Sequence, residues 1–383
     1  MRVCPAGPVL LKCVRVCCRR GRGRVPRCVR EAWGYTHLLA RSLCFNSLIS
    51  WDVVNDSLFE PVFWAADRLT RWFGRVFVCL VVVLTSSIVL IAYLVLLPMV
   101  IHTYAPLWIV WHLCYGHWNL VMIAFHYYKA TRTSPGYPPT MKNDLPFVSF
   151  CKRCVTPKPA RTHHCGICKT CILRMDHHCP WLNNCVGHFN HRYFFSFCVF
   201  LTLGCVWCSI SGRNLFIDAY NAMEHFKALE VEQPGVPVKG VGLLIGIVPP
   251  EAMNGQSSYQ TPPPTFTYKE KLMNKSVIYM WVLTSTVAVA LGGLTLWHAM
   301  LISRGETSIE RHINKKERER LTKRGKVYRN PFHYGRLNNW KLFLGVEKRS
   351  HWVTRVLLPS SHAPHGDGLT WDFPLRKKEP LPV

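Results

Sequence analysis

"MDHHCPWLNNCVGHFNHRYFF", Met175 to Phe195, carries one Asp, four His and two Cys, and then turns apolar and aromatic. Metal-ligand and nucleophile chemistry therefore runs directly into a stretch with the composition of a membrane span. Two questions follow. Why does this chemistry stand against a bilayer, and which of its cysteines is a ligand and which a reagent?

Working outward, hydrophobic residues make up 49% of the 383 and fall in long blocks between charged stretches. That distribution predicts an α-helical multi-pass membrane protein. Four transmembrane helices are expected, over 76–101, 106–128, 193–212 and 277–303, each free of formal charge. The first two are joined by a few residues and should form a hairpin. Residues 1–75 form a basic arm in which no signal-peptide core appears, so the first span is expected to act as its own anchor. The 213–276 connection reads as a loop; its "VGLLIGIVPP" (241–250) is too short to span, and "TPPPTF" (261–266) reads as a turn-rich linker.

Charge sets the expected orientation. The chain has 47 Lys and Arg against 21 Asp and Glu, a formal charge of +26. The basic residues concentrate in the N-terminal arm, in 129–192 and in the 304–383 tail, whereas 101–106 and 213–276 are nearly neutral. With four spans, the three basic segments share one side. The positive-inside rule then puts both termini and the 129–192 Cys-rich domain in the cytosol, with 213–276 luminal. This accounts for the charge without nucleic acid, and no nucleic-acid partner is expected. The run 311–329 reads as a juxtamembrane helix facing anionic lipid, or one attracting an anionic substrate.

Seven of the 18 cysteines lie between Cys151 and Cys185, interleaved with His, which points to zinc in a reducing compartment. Cys151/Cys154 and Cys165/Cys168 are C-x2-C knuckles, each able to give two ligands to a tetrahedral zinc. Two zinc ions need four more ligands from His163, His164, Cys171, His177, His178, Cys179 and Cys185. Three residues should be left over, and a spare thiol beside a spare His is the signature of a reactive site. A purely structural zinc module fits the spacing equally well.

The string Asp176-His177-His178-Cys179, inside "CKRCVTPKPARTHHCGICKTCILRMDHHCPWLNNCVGHFNHRYFF", resembles the cysteine-rich domain of the DHHC protein S-acyltransferases (palmitoyltransferases). The likeness continues through Pro180, Asn184, Gly187, Asn190 and Phe194, and the four-span layout agrees over roughly residues 75–345. The resemblance implies a first zinc held by Cys151, Cys154, His164 and Cys171, and a second by Cys165, Cys168, His178 and Cys185. It implies Cys179 as nucleophile, His177 as general base and Asp176 as the residue that orients it. Both zinc ions are then structural, since each has four protein ligands. Acyl-CoA becomes the co-substrate, Cys179 carries the palmitoyl group in a ping-pong scheme, and cytosolic cysteines of membrane or membrane-associated proteins receive it.

The resemblance further matches Lys158, Arg161 and His163 to positions that meet CoA phosphates. It matches "TSIE" (Thr307–Glu310) to a family motif with Thr where Ser308 stands; the Ser308 hydroxyl is expected to bond Asp176. "YGRLNNW" (334–340) matches a later motif in which Asn339 packs or caps. Within the family the chain resembles a vertebrate Abl-binding branch, which implies a kinase partner and residence in the endoplasmic reticulum or Golgi membrane. The acyl chain needs apolar surroundings, at ~0.8 kcal/mol per CH2, so it is expected between the spans, where Gly204 and Cys205 serve close helix packing first and pocket depth second. Cys17-Cys18 could themselves be acylated, His112 and His117 read as packed residues, and Asn274-Lys275-Ser276 is a sequon abutting the fourth span. The competing reading is a catalytically inactive, zinc-stabilised membrane scaffold.

Overall fold

The computed structural model describes residues 33–38, 40–41, 51–139, 147–232 and 267–371. Cys4, Cys13, Cys17, Cys18 and the 241–250 and 261–266 segments lie outside the described residues. The chain divides into two compact units, Met1–Ala66 and Asp67–Val383; apart from the first part of the first long helix, residues 51–66, the features below belong to the second.

Helix α1 (Trp51–Ile91) passes through a wide π turn (Ala92–Leu96) into α2 (Leu97–Thr103). Pro98 explains the widening: it has no N–H for the carbonyl one turn back, and the backbone absorbs the mismatch there. A two-residue corner, Tyr104-Ala105, leads to α3 (Pro106–Arg132), which starts on a proline whose missing donor costs nothing at a helix N-terminus. The expected hairpin is present. After the Cys-rich domain come α4 (His191–Ser211), α5 (Arg213–Glu232) and α6 (Tyr268–Ser303). α4 packs on both α3 and α6, and α5 packs on α6.

Three helical stretches are long and apolar enough to cross a membrane: Trp72–His102, His191–Ser211 and Tyr268–Ser303. α3, with 27 residues, has the length at about 40 Å, but Trp, His and Tyr dilute its apolar content. Among the described residues, the chain is thus helical with three candidate membrane-spanning helices. The 213–276 connection is not simply a loop, because α5 occupies its first 20 residues. Asn274 is buried inside α6 at 5% exposure, so the sequon is not presented on a surface.

The Cys-rich domain is three antiparallel hairpins in series: β1 (Phe147–Cys151) with β2 (Thr156–Pro159), β3 (His163–Cys165) with β4 (Thr170–Ile172), and β5 (His177–Cys179) with β6 (Asn184–Val186). A short helical turn, Pro180–Leu182, links the last pair. Beyond α6, Gly305 at φ +66° makes the corner into α7 (Ser308–Thr322); a Cβ there would meet the Phe332 carbonyl oxygen at 2.3 Å, so only glycine fits. α8 (Arg336–Leu344) then returns to the bundle. Asn339 on α8 donates to the Ser303 carbonyl at 2.9 Å and accepts from the Tyr334 amide at 3.0 Å, tying the tail to the end of α6.

Candidate active site and metal centres

The hairpins explain how the ligands converge. Cys151, Cys165 and Cys179 each end the leading strand of a hairpin, paired with Thr156, Thr170 and Asn184 respectively. They recur every 14 residues. The first two are followed three residues later by Cys154 and Cys168, whose amides point back at the first sulfur (3.4 and 3.3 Å). Each turn closes with the next residue in the left-handed region, Val155 at φ 54° and Lys169 at φ 59°. A β-branched valine adopts that conformation only when its surroundings impose it.

The cross-strand pairs His164–Cys171 on β3/β4 and His178–Cys185 on β5/β6 supply the other two ligands of each set. So each metal joins one knuckle to the strands of the next hairpin. The two clusters are Cys151, Cys154, His164, Cys171 and Cys165, Cys168, His178, Cys185. Their geometry fits zinc. In the first, His164 Nδ1 lies 3.7 Å from Cys151 Sγ and 3.1 Å from Cys154 Sγ, with 3.7 Å between Cys171 and Cys154 sulfurs. In the second, His178 Nδ1 lies 3.8, 3.3 and 3.4 Å from the sulfurs of Cys165, Cys168 and Cys185. Tetrahedral Zn–S bonds of ~2.3 Å and Zn–N bonds of ~2.0 Å put neighbouring ligands roughly 3.5–3.8 Å apart. Both clusters can hold a metal ion, and their donor set is that of structural zinc.

Asp176, His177 and Cys179 stand outside both clusters. Asp176 is buried at 1% exposure, and its Oδ2 accepts from His177 Nδ1 at 2.7 Å. Its carboxylate also sits at the N-terminus of α7. The Ser308 amide donates to Oδ1 at 2.8 Å and the Ser308 hydroxyl to Oδ2 at 3.0 Å. The hydroxyl contact is the one expected from "TSIE". Free amides and the helix dipole both favour an anion there. Burial pushes the Asp176 carboxyl up. The hydrogen bond from His177 and the positive potential of His191, His177 and His298 outweigh it and hold the group well below the usual carboxylate range. Burial likewise pushes His177 down, but hydrogen bonds to Asp176 and Cys179 and the negative charge of both raise it to about 9.

"TSIE" has a second use. Thr307 caps α7, its hydroxyl accepting from the Glu310 amide at 3.3 Å while Glu310 Oε2 accepts from the Thr307 amide at 2.9 Å. This capping box is locked to the zinc domain by Arg161, which grips both Glu310 oxygens at 2.6 and 2.7 Å and donates to the Gly305 carbonyl at 3.1 Å. Arg161 stacks against Phe332 and Trp371, 4.4 and 4.5 Å from their ring centroids. The Arg161 guanidinium, expected at the CoA phosphates, is here buried and paired with the Glu310 carboxylate. Lys158 on β2 and His163 on β3 are half-buried and make no such pair among the described residues.

Behind Cys179 opens an apolar cavity of about 690 Å³. His177, Cys179 and Trp181 line its mouth, Phe194, Phe197, Cys198 and Leu201 its wall, and Trp207, His112 and Tyr104 its far end. Gly204 and Cys205 line it as well, but a Cβ on Gly204 would meet Asn119 Oδ1 at 2.5 Å, so the glycine also permits α3 and α4 to approach. His117 hydrogen-bonds the Tyr93 hydroxyl at 2.5 Å and the Leu113 carbonyl at 2.7 Å but is exposed rather than packed.

The sequence model described as DHHC palmitoyltransferase matches residues 146–315. Palmitoyltransferase ZDHHC16A of Danio rerio is 69% identical over 378 residues, covering 98% of each chain. Palmitoyltransferase ZDHHC16B of Danio rerio is 60% identical over 369 residues, covering 96% of this chain and 95% of the relative. Palmitoyltransferase ZDHHC16 of Homo sapiens is 55% identical over 372 residues, covering 96% and 94%. The chain belongs to the DHHC palmitoyltransferase family. It is a protein S-palmitoyltransferase, and the family's membrane attachment agrees with the helices described above.

Two features of this palmitoyltransferase are absent from the sequence reading. One is the 14-residue recurrence, which the numbering carries openly once the knuckles are aligned. The other is His298, on the last turns of α6. It is buried at 3% exposure, its ring centroid lies 5.8 Å from that of His177, and it groups with Asp176 and His177. His191 completes the surround, 5.9 Å from His298. No local motif marks His298, because helix packing across the bundle brings it to the site.

Proposed function

We propose that this enzyme transfers a long-chain acyl group from acyl-CoA to cysteine thiols of membrane or membrane-associated proteins through an acyl-Cys179 intermediate. The observation that carries the reading is the Asp176–His177–Cys179 arrangement at the mouth of an apolar cavity. His177 takes the Cys179 proton, and Asp176 holds the imidazole and stabilises its charge. The Cys179 sulfur forms the bond to the acyl carbonyl carbon, the CoA sulfur–carbon bond breaks, and the proton passes to the CoA thiolate. A substrate thiol then attacks the acyl-Cys179 carbonyl and Cys179 recovers a proton. One thioester replaces another at each step, so no external energy source is needed. The acyl tail lies in the cavity during the intermediate.

The eight knuckle and cross-strand ligands hold two zinc ions that fix this geometry and take no part in bond making. Lys158 and His163 face the CoA phosphates. Four transmembrane helices, the fourth being α3, put both termini and the Cys-rich domain in the cytosol of endoplasmic reticulum or Golgi membranes, and a kinase is among the partners. The test is autoacylation with a clickable palmitoyl-CoA. Hydroxylamine-sensitive label is expected on the wild type and absent from Cys179→Ser; label that survives the substitution overturns the assigned nucleophile. An unlabelled wild type with both metals bound would favour the zinc-stabilised scaffold instead.

A further inference from the structure

A cluster of cations without adequate counter-charge lies at the start of α4. Arg192, the second residue of the helix, is 6% exposed. One Nη donates to the His362 carbonyl and to the Tyr193 hydroxyl. Its Nε and other Nη are buried and have no partner. Around it stand further cations. Arg355 is close enough to repel its charge, and the Lys129 ammonium lies 5.4 Å from the centroid of Tyr193, on whose ring Arg192 stacks at 4.4 Å. Among the described residues, the ion pair this cluster makes is Arg355–Glu347 at 3.9 Å, with the Glu347 side chain 65% exposed.

Buried guanidinium donors without acceptors are costly, and native structures supply a partner. The planar fork of arginine matches the oxygens of a phosphate. The surroundings indicate where that phosphate comes from. Arg192 sits at the end of a membrane-crossing helix. The adjoining Trp352–Leu357 turn exposes Trp352, Val353 and Leu357, followed by Leu358. Trp118 of α3 fastens that turn to the bundle by donating to the Leu357 carbonyl at 2.8 Å. Exposed apolar groups beside buried and half-buried cations describe a surface at the membrane–water boundary. The cation cluster is separate from the acyl site, since none of Lys129, Arg192, Arg355 or His362 lines the cavity behind Cys179.

We propose that Arg192, with Arg355 and Lys129, binds the phosphate of an anionic membrane phospholipid at the boundary where α4 enters the bilayer. The full-length protein in detergent is offered phosphatidic acid or phosphatidylcholine, and retained lipid is read by native mass spectrometry. Phosphatidic acid should be retained in preference to phosphatidylcholine, whose choline cation competes for its own phosphate. Arg355→Gln and Lys129→Gln should each weaken retention about fivefold, with zinc content unchanged. Arg192→Gln should weaken it most; if that variant fails to fold, the other two carry the test. Equal retention of both lipids, or unchanged retention in Arg355→Gln and Lys129→Gln, overturns the site. Displacement of phosphatidic acid by millimolar inorganic phosphate or CoA overturns the lipid as its source.

Discussion

The first two hairpins of the Cys-rich domain and the third share a register but not a chemistry. Cys151 and Cys165 are each followed by a second thiol three residues on, and each pair faces a cross-strand His and Cys. Cys179 occupies the equivalent place, yet Leu182 stands where the second thiol would be, buried at 2% with Phe194 and Phe197 around it. Continuing the interval, Arg192 and Val199 fall where the cross-strand ligands would lie. A thiolate bound to zinc has its lone pair engaged and its geometry fixed. The same sulfur, relieved of metal and set beside an imidazole held by a buried carboxylate, is free to attack a carbonyl. The third hairpin thus repeats the position of the first thiol without the further ligands that the two clusters beside it bring together.

That contrast predicts opposite outcomes for chemically identical substitutions. Cys165→Ser should cost most. Structural zinc is worth about 10–16 kcal/mol of apparent binding in small zinc modules, so the variant should lose at least one metal equivalent, unfold its Cys-rich domain and show no activity. Cys179→Ser should be equally inactive but keep both metals and the wild-type melting temperature. Elemental analysis alongside thermal unfolding separates them. A Cys179→Ser protein that has lost zinc would place that cysteine among the ligands and end the comparison.

Removing the carboxylate tests the reactive hairpin alone. Asp176→Asn should retain zinc and lower autoacylation by about 10²–10⁴-fold, the usual range for a disabled acid–base pair. The sign of the pH effect follows from His177. Its pKa is raised to about 9 because the hydrogen bonds and charge of Asp176 and Cys179 outweigh burial, so the imidazolium is favoured below that pH. Without the Asp176 charge the imidazolium is less stable and His177 gives up its proton at lower pH. The His177 titration profile, read from its imidazole NMR signals, should therefore move to lower pH. A profile that stays put would mean that Asp176 serves folding and not the reaction.

How much of this is legible in the sequence depends on the range of each contact. The zinc tetrads are, because two ligands of each come from a local knuckle and the remainder from neighbouring hairpins. The apolar spans are too, where Val, Leu and Ile dominate, whereas α3 is veiled by its Trp, His and Tyr. Arg161 shows the limit. A basic residue in a basic segment reads as a surface charge, and only the turn at Gly305 brings Glu310 to it. His298 is hidden for the same reason, as is α5, whose polar composition reads as a connection until it packs on α6.

Leu182→Cys would sharpen the comparison from the other side by restoring a knuckle around Cys179. Micromolar zinc should then inhibit autoacylation several-fold and a chelator of moderate strength should restore it, while the wild type is indifferent to both. The same variant loses some packing against Phe194 and Phe197, so its melting temperature should fall slightly with or without zinc. Inhibition that is equal in wild type and variant would show that the second thiol is not what separates a ligand from a reagent.

The smallest expected effect lies at Ser308, and it distinguishes a positioned carboxylate from one that is merely buried. Asp176 receives an amide and a hydroxyl from this residue. Ser308→Ala removes the hydroxyl and leaves the amide, since α7 still begins there. One hydrogen bond to a charged acceptor is worth about 1.5 kcal/mol or somewhat more, so autoacylation should fall roughly three- to tenfold if most of that energy is felt at His177. The His177 titration profile should shift in the same direction as in Asp176→Asn, by less. Ser308→Thr keeps the hydroxyl and should restore both readouts close to wild type. If Ala and Thr behave alike, the amide at the α7 N-terminus alone holds Asp176, and the side chain at 308 is free to vary.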